Sequence, residues 1–149
     1  MRTQMSFELA GPFSHLIMVP TYVNGQGPFS FALDTGGAHS TISKALGERL
    51  GIEARESKES FGVGSAVQLT MSSVESISLG QATVRNLSVA VADLSAFEQR
   101  METHIDGIIA YDYLKHFILT IDYPHQQLGL EDEHGNQRST RLADCSGIP

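Results

Sequence analysis

Short apolar, β-branched runs broken by Gly, Asn and Pro dominate the chain, which is the pattern of an all-β protein. His15 to Val23 (HLIMVPTYV) reads as a strand, and Asn24-Gly25-Gln26-Gly27-Pro28 is rich in turn formers. Phe29 to Leu33 (FSFAL) reads as the returning strand, so this hairpin runs directly into Asp34. Val67 to Met71 and Val74 to Leu79 are strand-like, Leu79-Gly80-Gln81-Ala82 makes the next turn, and Thr83 to Val91 (TVRNLSVAV) alternates cleanly. Phe117 to Tyr123 (FILTIDY) and Gln127 to Leu130 flank a Pro124-His125-Gln126 turn and form a further hairpin.

Helix is scarce. Ser43 is placed to cap a short helix through Leu50, with Leu46 and Leu50 on one face and Gly51 positioned to end it. A second short helix is expected over Tyr111 to His116. The chain has no internal repeat, and the polar segment Glu131 to Pro149 reads as a loose tail. The expectation is one small β domain over residues 1–130 with one or two short helices.

The length of 149 residues fits that single domain. Ten basic residues against 17 acidic give a net charge of −7, so no basic patch is available to displace counterions from a phosphate backbone. Nucleic acid is therefore not an expected partner. Cys145 is the only cysteine, which excludes an intrachain disulfide but leaves the redox compartment open. No stretch approaches the roughly 20 apolar residues that span a bilayer as helix. Met1 to Ala10 (MRTQMSFELA) lacks the apolar core of a signal peptide. The expected location is cytoplasmic if the chain is complete, and exported or in the cell envelope if it is an excised domain.

The strongest chemical signal is Ala32-Leu33-Asp34-Thr35-Gly36-Gly37-Ala38-His39-Ser40-Thr41-Ile42. An ionisable residue ends an apolar strand and opens a Thr-Gly-Gly turn. Glycines at 36 and 37 let the backbone turn sharply and let another chain approach closely. The Thr35 hydroxyl is placed to hydrogen-bond across the turn, and backbone N–H groups can steady the carboxylate. This suits acid–base work on a rigid sheet. An Asx-type turn without chemistry uses the same residues, so the tripeptide alone decides nothing.

Other chemistries find no support. The six histidines, at 15, 39, 104, 116, 125 and 134, show no metal-ligand spacing, and no metal or cofactor is expected. His39 is read as a surface-loop residue. Gly62-Val63-Gly64 lacks the third glycine and the strand-to-helix context of a nucleotide loop. No Gly-x-Ser-x-Gly elbow is present.

In order and spacing the chain, from about His15 to Leu130, resembles the retropepsin-like aspartic proteases, particularly their short single-domain members. The resemblance rests on the hairpin ending in Asp34-Thr35-Gly36 and on Ser60-Phe61-Gly62-Val63-Gly64-Ser65 in the place of the substrate-covering flap. It rests further on Ile105-Asp106-Gly107-Ile108-Ile109-Ala110-Tyr111-Asp112-Tyr113-Leu114 and on the closing strand Leu119-Thr120-Ile121-Asp122-Tyr123. Two positions depart from the family pattern. Gly37 stands where Ala or Ser is usual, and Ala110 stands where the apolar-apolar-Gly segment has its glycine. Neither change removes a catalytic group, but the Ala110 methyl must be absorbed or must shift the backbone at a crowded place.

The resemblance implies a closed or nearly closed retropepsin-like β-barrel with Asp34 at its open face beside the Gly62–Gly64 hairpin. It implies an aspartic endopeptidase with Asp34 catalytic and Thr35, Gly36, Gly37, Ala38, Gly62, Val63 and Gly64 against a peptide or protein substrate. Two close carboxylates sharing one proton are needed, and the chain has one Asp-Thr-Gly. Asp106, Asp112 and Asp122 fall in segments that resemble structural parts of the fold. A two-fold homodimer, pairing Asp34 with its own symmetry mate, supplies the second carboxylate. The alternative is a catalytically inactive dimeric module that binds an extended peptide in the same cleft. A purely structural interaction domain is a third reading.

Overall fold

The computed structural model describes residues 1–53, 55–56 and 70–132. In chain order the strands are β1 (Arg2–Ser6), β2 (Glu8–Ala10), β3 (Leu16–Val23), β4 (Gln26–Leu33), β5 (Thr41–Ser43) and β6 (Arg55–Glu56). They continue with β7 (Thr70–Leu79), β8 (Ala82–Ala92), β9 (Gly107–Ile109), β10 (Phe117–Asp122) and β11 (Gln127–Asp132). Three short helices, α1 (Lys44–Leu50), α2 (Ser95–Met101) and α3 (Tyr111–Leu114), interrupt them.

The strands form a three-stranded sheet, β1-β11-β10, and an eight-stranded sheet, β2-β3-β4-β9-β5-β8-β7-β6. A further pairing of β3 with β7, Tyr22 opposite Ser78 and Val23 opposite Ile77, closes β3-β4-β9-β5-β8-β7 into a barrel. The turn that permits closure is Asn24-Gly25, both at positive φ as a two-residue hairpin loop requires. Asn24 Oδ1 then accepts the N–H groups of Glu75 and Ser76 at 2.8 and 3.2 Å, which pins the hairpin to β7. The expected turn was longer. Gln26 already pairs with Val23, so Gly27 and Pro28 belong to β4.

Alternation sorts the core. Phe31, Leu33, Val19, Ile42, Ile77 and Ile109 point into the barrel, and each large side chain removed from water contributes about 1.5–3 kcal/mol. On the outer face of β3 and β4, Met18 and Ala32, together with Ile105 just before β9, are covered by Leu94, Phe97 and Met101 in and beside α2. The strand carrying Asp34 is thus packed on both faces.

The cap at α1 forms as the sequence indicates. Ser43 Oγ accepts the Leu46 N–H at 3.0 Å, and Gly51 ends the helix in left-handed conformation. The helix expected over Tyr111 to His116 is shorter, ending at Leu114. Strands β1 and β2 and helix α2 are additions to the expected elements. Strand β11 runs two residues into the segment read as tail, and the remainder of that segment lies outside the described residues. Among the described residues no helix is long and apolar enough to cross a membrane.

Candidate active site

Parallel pairing of β4 with β9 sets Leu33 beside Ile109, and the Asp34 N–H donates to the Ile109 carbonyl at 2.8 Å. The strand therefore ends under control, with Asp34 as the first residue beyond it. The Asp34 carbonyl accepts the Gly37 N–H at 3.2 Å, closing a four-residue turn. Within it the Gly36 N–H donates to Asp34 Oδ1 at 3.1 Å. Asp34, Thr35 and Gly36 are exposed, Gly37 is half-buried and Ala38 is exposed. The carboxylate stands at the surface of a rigid frame, and no cation of the described residues is paired with it.

Two details differ from the sequence reading. The Thr35 hydroxyl makes no hydrogen bond across the turn, whereas the backbone N–H expected to steady the carboxylate is present and is that of Gly36. Neither Gly36 nor Gly37 adopts positive φ, so the turn itself does not demand glycine. A Cβ at Gly36 would meet only Asp34 Oδ1, at 3.7 Å. At Gly37 it would come within 2.8 Å of Asp34 Oδ2 and 3.4 Å of the Ala110 Cβ.

The far end of the loop is held by a group the sequence did not single out. Ser40 is fully buried, and its N–H donates to both oxygens of Asp112 at 3.0 Å. Its hydroxyl donates to Asp112 Oδ1 at 2.6 Å and accepts the Ala110 N–H at 2.9 Å. Asp112 Oδ1 also accepts the Tyr113 N–H at 2.8 Å, and the Gly37 carbonyl accepts the Tyr111 N–H at 2.9 Å. Residues 34–40 are therefore tied to residues 109–112 at their start, middle and end, through Asp34, Gly37 and Ser40. The only advance signal was a polar residue, Asp112, in the first turn of a short helix among apolar neighbours.

Asp106 has a comparable structural task. Its buried carboxylate accepts the Ser30 N–H at 3.0 Å and meets His104 Nε2 at 2.8 Å, while its carbonyl accepts the Ser43 N–H at 2.8 Å. It joins β4 to β5 and does not approach the turn through any of these contacts. Gly107, next to it, is required: a Cβ there would collide with the Phe31 ring and lie 2.6 Å from the Thr41 carbonyl. Asp122 ends β10, where the hydrogen bonds from His125 hold its carboxyl below the usual carboxylate range.

Behind the site, Tyr113 is fully buried with its hydroxyl donating to the Ala82 carbonyl at 2.6 Å and accepting the Leu79 N–H at 3.3 Å. Burial pushes the phenol well above its ordinary range. His39 is half-buried beside the loop. Gly62, Val63 and Gly64 lie outside the described residues. Among the described residues no three His, Cys, Asp or Glu side chains are placed to hold a metal ion.

Comparison with known proteins bears on the family and the fold. A family model described as aspartyl protease matches residues 19–113, a stretch that contains the Asp34 turn, the Ser40–Asp112 contact and β9. Among solved structures, a retropepsin-like aspartic protease from Rickettsia conorii is 16% identical and superposes with a TM-score of 0.59, covering 87% of this chain and 92% of that one. The retroviral protease-like domain of Ddi1 from Leishmania major is 20% identical, with a TM-score of 0.49 over 78% of this chain and 93% of its own. No curated protein sequence matches. The Rickettsia structure shows that the fold is the retropepsin-like barrel, and the model match over more than half the sequence shows that the chain belongs to the aspartyl protease family.

Proposed function

We propose that the protein is an aspartic endopeptidase whose active site is completed by a second copy of the chain. The observation that carries this reading is the exposed Asp34 carboxylate, steadied by the Gly36 N–H and, among the described residues, with no hydrogen bond to a second carboxyl group. Asp112, in the segment to which the Asp34 loop is laced, is committed to Ser40 and the Tyr113 N–H.

In the symmetric dimer two Asp34 carboxylates meet at the two-fold axis. Two unit charges about 4 Å apart at an effective dielectric near 20 repel by about 4 kcal/mol, so the pair keeps one proton between them. The ionised member takes a proton from a bound water as that water attacks the scissile carbonyl carbon. The protonated member donates to the carbonyl oxygen, giving a neutral tetrahedral diol. Collapse of the diol breaks the C–N bond, with a proton delivered to the leaving amine. No metal or covalent intermediate is required.

Thr35, Gly36, Gly37 and Ala38 border the carboxylate and form the floor against which an extended peptide or protein substrate lies. Gly62, Val63 and Gly64 are assigned to the covering hairpin on resemblance alone.

Concentration tests the shared site. Sedimentation should give about twice the 16.2 kDa chain mass, and specific activity should fall on dilution as the dimer dissociates. A protein that stays monomeric and cleaves peptides equally well at every dilution contradicts the proposal.

A further inference from the structure

We propose that Gly37 and Ala110 are the two halves of one steric device that positions the Asp34 carboxylate. The absent side chain at 37 leaves the carboxylate its place, and the Ala110 methyl limits how far the segment at 37 can retreat from it. This rests on the reading of Asp34 as the catalytic group.

Three distances define the device. A Cβ on Gly37 would lie 2.8 Å from Asp34 Oδ2 and 3.2 Å from its Cγ, so the carboxylate would have to rotate away. Rotation disturbs the bond that Oδ1 receives from the Gly36 N–H at 3.1 Å. The alternative is for the segment at 37 to retreat, but the same Cβ already stands 3.4 Å from the Ala110 Cβ. Retreat is further resisted from both sides. The Tyr111 N–H holds the Gly37 carbonyl at 2.9 Å, and the Ala110 N–H is fixed to Ser40 Oγ at 2.9 Å. Ala110 is fully buried, so its methyl has no solvent side to yield into.

A methyl at 37 would thus already touch the Ala110 methyl at 3.4 Å, the near limit of ordinary contact, which leaves the segment at 37 no further room to retreat in that direction. The two departures from the pattern that the chain resembles are the two sides of a single contact. Gly37→Ala puts a methyl on both sides and pushes the carboxylate. Gly37→Ala combined with Ala110→Gly moves the single methyl across the gap and lets the segment at 37 retreat. Both residues act through Asp34 and are positioning residues.

A double-mutant cycle over Gly37→Ala, Ala110→Gly and the combined variant tests this, with three readouts. These are kcat/KM and its pH profile on a peptide substrate, thermal unfolding, and the carboxyl carbon NMR signal of Asp34. Gly37→Ala should lower kcat/KM by about 10- to 100-fold, as misplacement of a catalytic group by about 1 Å does, and should move the Asp34 signal. The combined variant should recover most of both. Neighbours that share one space are non-additive in stability as well. If Gly37→Ala fails to fold and the combined variant folds, the device stands. Additive effects, an unmoved Asp34 signal in Gly37→Ala, or failure of the combined variant to fold would overturn it. A wild-type protein without peptidase activity would sink the protease reading separately, because unfolding and the Asp34 signal still decide the steric coupling.

Discussion

Ser40 and Asp112 hold each other through three hydrogen bonds, from the Ser40 N–H to both carboxylate oxygens at 3.0 Å and from the Ser40 hydroxyl at 2.6 Å. Seventy-two residues apart in sequence, they fasten the loop that begins at Asp34 to the segment that ends β9. Ser40→Ala strands the buried Ala110 N–H and weakens Asp112, and a lost buried partner costs about 1–3 kcal/mol. Asp112→Ala should cost at least as much. Because both remove one network, the double variant should be clearly less destabilised than the sum, as denaturant unfolding will show. Peptidase activity should fall with each.

The glycines of the site separate by what surrounds them. Gly107→Ala drives a methyl into the Phe31 ring and the Thr41 carbonyl, and overpacking of this kind costs about 1–3 kcal/mol or more. Gly36→Ala has room and ordinary backbone angles, so the fold should tolerate it or gain about 0.4–1 kcal/mol from a stiffer unfolded chain. Thermal unfolding of the two variants should rank them in that order by a wide margin.

Tyr113 gives the fold an alkaline limit. Its phenol is raised by burial, so above an unfolded value of about 10 the unfolded chain releases this proton while the folded chain keeps it. The folded state binds the extra proton, and stability must fall as pH rises through that window. Tyr113→Phe should abolish this fall while costing about 1–3 kcal/mol at neutral pH, since the Ala82 carbonyl and Leu79 N–H lose their partner. Urea midpoints for the two proteins, measured from neutral to strongly alkaline pH, provide the check.

Local rules carried the sequence reading wherever local chemistry decides structure. The Asn24-Gly25 turn, the Ser43 cap with its Gly51 stop, and the strand that delivers Asp34 all follow from a few adjacent residues. The barrel itself came from the resemblance, because closure depends on Asn24 meeting β7, and that pairing leaves no periodic trace. Helix α2 did leave one: Leu94, Phe97 and Met101 recur at helical spacing and cover Ala32 and Met18 from outside. Its short length and lack of a side-chain hydrogen bond at the N-cap hid it. Strand β1 alternates weakly and is held by pairing with β11 from the other end of the chain. Within the candidate site, the exposed placement of Asp34 just beyond β4 was legible from its motif. The buried partnership of Ser40 with Asp112 was not, because each looks like ordinary turn or helix-start chemistry until the fold joins them.

The central claim is that Asp34 performs the chemistry. The most direct measurement incubates wild type and Asp34→Asn with a diverse peptide mixture from acid to neutral pH and counts new chain termini. In the proposed dimer the substitution keeps size and most hydrogen bonding but removes the proton the pair would share, and two-fold symmetry would alter both halves of the site at once. General acid–base action alone is worth about 10² to 10⁴ in rate, so wild type should generate new termini and Asp34→Asn essentially none, with fold and dimer intact. Near-normal cleavage by Asp34→Asn would contradict the assignment, and no cleavage by either protein would favour the peptide-binding module instead.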